Sequence, residues 1–232
     1  MSQYLIIGAS SGIGKKLSQM LCENGHTVTG TYCRNKSESP NSLLTYHHLD
    51  VTDENITMDF LPDTLDGLVY CPGSINLKPF GRIKPEEFTA DFNLQLTGAV
   101  KVIQTALPNL KKSAGPSVVL FSTVAVNTGL NFHTQVSVSK GAVQGLTVSL
   151  AAELAPKVRV NCIAPSLTDT PLAASFLNTE QKAEAGAQRH PLKRVGKAED
   201  IAAMAEFLLS TKAGWITGQI IHVDGGMSTL KI

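Results

Sequence analysis

The chain lacks most of the features that would classify it at a glance. Its 20 Lys and Arg side chains are matched by 19 Asp and Glu, a net charge of +1. A basic face for nucleic acid is therefore not expected, and no nucleic-acid partner is assigned. No apolar run approaches the roughly 20 residues of a membrane-spanning helix, so no membrane partner is expected either. The stretch Tyr4-Leu5-Ile6-Ile7 stops at Gly8 with no basic segment before it, which marks a buried strand rather than a signal peptide. Only four cysteines occur, Cys22, Cys33, Cys71 and Cys162, widely spaced and without a CxxC pair. They read as buried, reduced thiols of a cytoplasmic protein. The pair His47-His48 has no metal-ligand spacing and reads as structural, just ahead of a strand, so no metal is expected. Nothing resembling a repeat, charge block or linker divides the 232 residues, which suits a single domain.

What is present is an alternation of two periodicities. Short apolar runs, at Tyr4 to Ile7, Val28 to Tyr32, Leu68 to Cys71, Val118 to Phe121, Val158 to Ala164 and Ile220 to Val223, predict strands. Helical patterns lie between them, including Ile13, Leu17, Met20 and Leu21 on one face, and the segments Glu86 to Lys112, Thr134 to Ala155 and Ala198 to Leu209. Asn24-Gly25 closes the first helix as a left-handed cap. Nearly all-apolar strands joined by helices predict an α/β fold, a doubly wound parallel sheet covered on both faces. Ligands of such sheets bind at the carboxyl ends of the strands.

The first strand runs directly into Gly8-Ala9-Ser10-Ser11-Gly12-Ile13-Gly14, which opens a helix. Glycines permit the tight turn and let backbone N–H groups approach a pyrophosphate at the positive helix end. The spacing is GxxxGxG, and Lys15 is followed by Lys16, so this is not a Walker loop. The turn resembles the signature of the short-chain dehydrogenase/reductase family, and the resemblance extends along nearly the whole chain. Asp50-Val51-Thr52-Asp53 is similar to the family's adenine-contacting segment. Arg159-Val160-Asn161 with Ala164-Pro165 matches RVNxxxP, Thr170-Pro171 matches TP, and Val223-Asp224-Gly225-Gly226 matches VDGG. The stretch from Asp53 to Leu68 is short, so the helix before the fourth strand is expected to be trimmed.

The resemblance implies one Rossmann-type domain over residues 1–232, with a substrate segment around 172–194. It implies a dinucleotide held by Gly8, Ser10, Ser11, Gly12, Ile13, Gly14, Asp50, Val51, Cys71, Gly73, Lys140, Pro165, Thr168 and Thr170. About twenty residues beyond Gly14, where an NAD site carries an acid, stand Cys33 and then Arg34. A guanidinium without a carboxylate fits a 2′-phosphate, so the expected cofactor is NADP(H). The family commonly forms two-fold interfaces from the segments matching Gly98 to Lys112, Val143 to Leu154 and Ile216 to Val223. A homodimer or homotetramer acting on a small-molecule substrate is therefore expected.

The family's catalytic pattern is broken. Its tetrad of Asn, Ser, Tyr and Lys corresponds here to Gln95, Thr123, Val136 and Lys140, and its NNAG to Tyr70-Cys71-Pro72-Gly73. The following Ser139-Lys140-Gly141-Ala142 fixes the frame. A valine cannot donate a proton, whatever surrounds it. His133, seven residues before Lys140, has the spacing at which the enoyl-reductase branch carries its Tyr. On a helix, positions 133, 136 and 140 share a stripe, and imidazole titrates near neutrality. Alternatively, His133 lies in the loop before the helix and faces solvent. Two functions stay open: an NADP(H)-dependent reductase of a carbonyl or conjugated C=C with an altered proton donor, or a catalytically silent NADP(H)-binding sensor or partner.

Overall fold

A computed structural model of the chain describes residues 1–35, 38 and 41–231. Strand β1 (Gln3–Ile7) feeds helix α1 (Gly12–Glu23), followed by β2 (Thr27–Tyr32), β3 (Leu44–His48) and β4 (Gly67–Tyr70). Helix α2 (Pro85–Phe92) passes through a π turn at Asn93–Thr97 into α3 (Gly98–Leu110). Then come β5 (Ser117–Phe121), the one-turn α4 (Ala125–Thr128), the long α5 (Thr134–Leu154) and β6 (Arg159–Pro165). The remaining elements are β7 (Thr168–Asp169), α6 (Ala174–Leu177), α7 (Glu180–Gln188), β8 (Gly196–Lys197), α8 (Ala198–Leu209) and β9 (Ile220–Val223).

Seven strands form one parallel sheet in the order β3-β2-β1-β4-β5-β6-β9, the doubly wound arrangement expected from the alternation. The strand order reverses between β1 and β4, which opens a crevice at their carboxyl ends. Because successive side chains point to opposite faces, each inner strand supplies both cores. Leu5, Leu68, Val118, Leu120 and Val160 pack on one face with Val102 and Ala106 of α3 and Val143 and Ala151 of α5. Ile6, Val69, Val119 and Ile163 pack on the other with Leu17 and Leu21 of α1 and Ile201 and Ala205 of α8. A strand buried on both sides needs no alternation, which is why these strands read as continuous apolar runs.

Several boundaries differ from the sequence reading. The segment from Glu86 to Lys112 is not one regular helix but two, joined by the π turn. His47 and His48 do not precede a strand; they end β3, with His47 stacked on Phe60 at 4.4 Å and His48 edge-on to Tyr32. This strand lies at the sheet edge and is only partly buried, so it lacks a long apolar run. No helix separates β3 from β4, and the trimming is complete. Residues 172–194 carry the short helices α6 and α7. Of the cysteines, Cys22 and Cys162 are buried, but Cys33 is exposed and Cys71 only partly covered, and all four are free. Among the described residues, no helix is long and apolar enough to cross a membrane.

Candidate active site

The glycine turn is anchored to β2 before anything binds. The Gly8 N–H donates to Thr31 Oγ1 at 3.1 Å and the Ala9 N–H to Thr31 O at 2.8 Å. Gly8 and Gly12 adopt φ of +77° and +52°, which a side chain would strain. A Cβ on Gly14 would run into the carbonyl oxygen of Gly8, so α1 can leave the turn this tightly only with glycine there. Ser11 caps α1 without a side-chain bond, and the first turn carries no acid. The Ser10, Ser11, Gly12 and Ile13 positions thus present a helix N-terminus suited to phosphate. A Cβ on Gly12 would meet Thr170 at 3.5 Å, so Thr170 flanks the same gap from the far side.

Beside the ends of β1 and β2, a cleft of about 70 Å³ is lined by Gly8, Thr31, Cys33, Asp50, Val51 and Pro72, among others. Asp50 accepts the Thr52 hydroxyl at 2.6 Å and the Thr52 N–H at 2.9 Å, which lowers its pKa, and its Oδ2 accepts from the Cys33 thiol just beyond β2 at 3.5 Å. Arg34 is exposed and follows Cys33, which lines this cleft.

The other half of the crevice is built from α5 and the ends of β4, β5 and β6. Lys140 is buried, and its Nζ donates to Phe121 O at 2.9 Å. Burial disfavours its charge and brings the ammonium pKa down to about 8. Cys71 lies beneath the glycine turn, and burial pushes its thiol up to about 12. A Cβ added to Gly73 would stand 3.4 Å from Gln95 Oε1 and 3.5 Å from Lys140 Nζ, so Gly73 leaves a small hollow between an acceptor and a donor. Gln95, in the π turn, is 1% exposed, and its Oε1 has no hydrogen-bond partner. Such an orphan costs roughly 1–3 kcal/mol, which a bound molecule can recover. Thr123 is half-buried and accepts the Ala125 N–H at 3.3 Å, leaving its own proton free to point elsewhere. The Val124 N–H donates to Pro165 O at 3.2 Å, tying the Thr123 segment to the end of β6. Thr168 is buried and spends its proton on Ser166 O at 2.9 Å. Thr168 also borders a cavity of about 200 Å³ reached by His190, Leu192 and Arg194 of the 172–194 region.

Val136 lies on α5 one turn before Lys140 and is buried, an apolar surface at the position that matches the family's tyrosine. His133 is not in the helix stripe. It is the residue that caps α5, with Nδ1 2.7 Å from Asn131 O. The carbonyl can only accept, so Nδ1 carries the hydrogen.

Sequence reasoning passed over Asp91, which is buried at one turn before Gln95 and accepts from Ser74, Gln95 and Ser139. The available signal was an acid at i−4 from Gln95, and Asp91 is the one buried residue of α2. Ser139 is buried and bonds Asp91 at 2.6 Å. Among the described residues, no group of three or more His, Cys, Asp or Glu is placed to hold a metal.

Residues 8–228 match the family model described as enoyl-(acyl carrier protein) reductase. A 3-oxoacyl-[acyl-carrier-protein] reductase of Thermotoga maritima is 32% identical, over 96% of this chain and 96% of the relative. The aldohexose dehydrogenase of Thermoplasma acidophilum superposes with a TM-score of 0.89 at 26% identity, covering 99% of this chain and 95% of its own. The NADP-bound structure of ElxO matches at a TM-score of 0.89 and 25% identity, over 99% of this chain and the whole of the other. Matched almost end to end in both sequence and backbone, the chain belongs to the short-chain dehydrogenase/reductase family of nicotinamide-dependent oxidoreductases.

Proposed function

We propose that the protein is an NADP(H)-dependent oxidoreductase that reduces a carbonyl or a carbonyl-conjugated C=C using a proton source other than tyrosine. The observation that carries this reading is the buried Lys140, held by Phe121 O beside Gly73 and Gln95 although Val136 fills the tyrosine position. Keeping an ammonium out of water is costly, and a site with no further use for one would gain from an apolar residue. In this reading the glycine turn and α1 hold the pyrophosphate, and Asp50 and Val51 border the adenine. Lys140, Thr168 and Thr170 orient the nicotinamide ribose and ring, and Thr123 polarises the substrate oxygen. The bound cofactor supplies hydride. His133 is the candidate donor, because it caps α5 about one turn before Val136, with its Nδ1 held by Asn131 O.

A second reading, a silent NADP(H)-binding sensor or partner, is favoured by the apolar surface at Val136 alone. Both readings place the chain in a homodimer or homotetramer, since Val148, Phe207 and Trp215 expose apolar surface on α5, α8 and the loop before β9. Light scattering should then return a mass above that of one chain, and a stable monomer at micromolar concentration contradicts it.

The exposed Arg34 and the absence of a carboxylate at Cys33 support NADP(H) over NAD(H). Calorimetry should show NADPH binding at least tenfold tighter than NADH, about 1.4 kcal/mol. The preference should vanish in Arg34→Ala; equal affinities in the wild type, or a preference that Arg34→Ala leaves unchanged, reject the assignment.

The proton source is tested by turnover of aldehydes, ketones, quinones and enones with NADPH. If His133 donates, wild-type turnover falls as pH rises, because the imidazolium is the donating form. His133→Ala should then lower kcat by roughly 100-fold or more, with NADPH affinity nearly unchanged. Turnover that His133→Ala leaves intact eliminates the histidine. A wild type that binds NADPH yet reduces nothing, and gains carbonyl reduction in Val136→Tyr, establishes the silent reading instead.

A further inference from the structure

The polar cluster behind Lys140 is not needed to hold a dinucleotide, and it contains a buried carboxylate. Asp91 projects from α2 and is 5% exposed. Gln95 Nε2 donates to both of its oxygens, at 2.8 and 2.9 Å, Ser139 Oγ donates to Oδ2 at 2.6 Å, and Ser74 Oγ donates to Oδ1. These three side chains come from the π turn, from α5 and from the loop after β4. Every one of these contacts offers a hydrogen and none accepts one, an environment that suits the anion.

Two consequences follow from this geometry. A carboxylate accepts only, so it draws the NH₂ end of Gln95 and leaves the carbonyl end turned the other way. That is the orphaned Oε1, which faces the hollow at Gly73 opposite Lys140 Nζ. The second consequence concerns charge. Lys140 is surrounded by Phe121 O from β5, Cys71 at the end of β4, Cys162 of β6 and Asp91 of α2. Burial holds both thiols near pKa 12, so they are neutral at physiological pH. Among the described residues that act on Lys140, Asp91 is then the single anion able to offset the cost of its burial.

We propose that Asp91 is a positioning residue that keeps Lys140 in its ammonium form and aims the Gln95 carbonyl at the same hollow. The hollow thereby offers one charged donor and one oriented acceptor, which fits a water molecule or a ligand hydroxyl able to accept from Lys140 and donate to Gln95. Where a tyrosine is missing beside the lysine, the counter-charge comes from behind it. This assignment rests on Lys140 being the cofactor-side lysine only for its consequence in catalysis; its electrostatic core needs neither cofactor nor turnover.

The test is a pH titration of the full chain labelled with [13Cε]lysine, followed by NMR, with Lys140→Met used to assign the resonance. In the wild type Lys140 should titrate near 8. In Asp91→Asn the midpoint should fall by about one to three pH units, the scale set by a nearby opposite charge. Ser139→Ala, which deletes a hydrogen bond but keeps the charge, should move it much less, and Asp91→Glu should restore the wild-type midpoint. NADPH affinity of Asp91→Asn should correspondingly weaken between pH 7 and 8 and recover toward pH 6, where Lys140 regains its proton. A folded Asp91→Asn whose Lys140 titrates with the wild type overturns the proposal. Should that variant not fold, the wild-type midpoint decides: a value at or below about 6, the range of buried lysines without a counter-charge, overturns it equally. A normal Lys140 titration response combined with unaltered NADPH binding would leave the Asp91 assignment standing and count against the cofactor reading.

Discussion

The arrangement depends on holding one lysine ammonium out of water at the carboxyl ends of the central strands. Lys140 cannot reach bulk solvent freely, so the fold surrounds it with fixed dipoles and charge: the Phe121 carbonyl, the hollow at Gly73 with Gln95 Oε1, and the Asp91 carboxylate behind. Each of these comes from a different element, β5, the β4 loop, the π turn and α2. The lysine therefore links the relative placement of sheet and helices to the chemistry of the crevice. Such a group is expensive to keep, which makes its presence informative about use.

The rest of the site follows the geometry of a doubly wound sheet. The reversal between β1 and β4 opens the crevice, and Gly14 lets α1 approach the Gly8 carbonyl closely enough to aim its N-terminus there. Cys71 fills the space under that turn, and Thr170 closes it from the side of β7. In the family's frame, three of the four tetrad positions differ, at Gln95, Thr123 and Val136, and of these only the valine has no hydrogen-bonding group. In the proposed reading Val136 leaves the binding surfaces in place and lacks a hydroxyl, so cofactor binding and proton delivery are separable properties. On the same reading, the capping histidine of α5 and the hollow beside Lys140 are candidate places for a proton to re-enter.

Local patterns were readable from the sequence. The glycine turn, the apolar inner strands and the frame from Thr123 through Val136 to Lys140 depend on spacing within one element or its neighbour. They appear in the structure where the residues predict. What escaped depends on contacts between distant segments or on marginal burial. Strand β3 is an edge strand with exposed Thr45 and His48, so its pattern is weak. The break at Asn93–Thr97 adds a residue to one helical turn without any proline or glycine at its start to announce it. His133 falls outside α5 because the chain turns at Phe132, which has φ of +67°, immediately before the helix begins. Asp91 gains its meaning only when Ser74, Gln95 and Ser139 converge on it, and no spacing rule connects those three.

The most direct test of the account is a crystal structure of the NADP⁺ complex. The account places the pyrophosphate at the Gly12–Gly14 end of α1. It places Lys140 Nζ within hydrogen-bond reach, about 3 Å, of the nicotinamide ribose hydroxyls, with Arg34 against the 2′-phosphate. A dinucleotide bound with its nicotinamide ribose away from Lys140, which still bonds only Phe121 O, would contradict it.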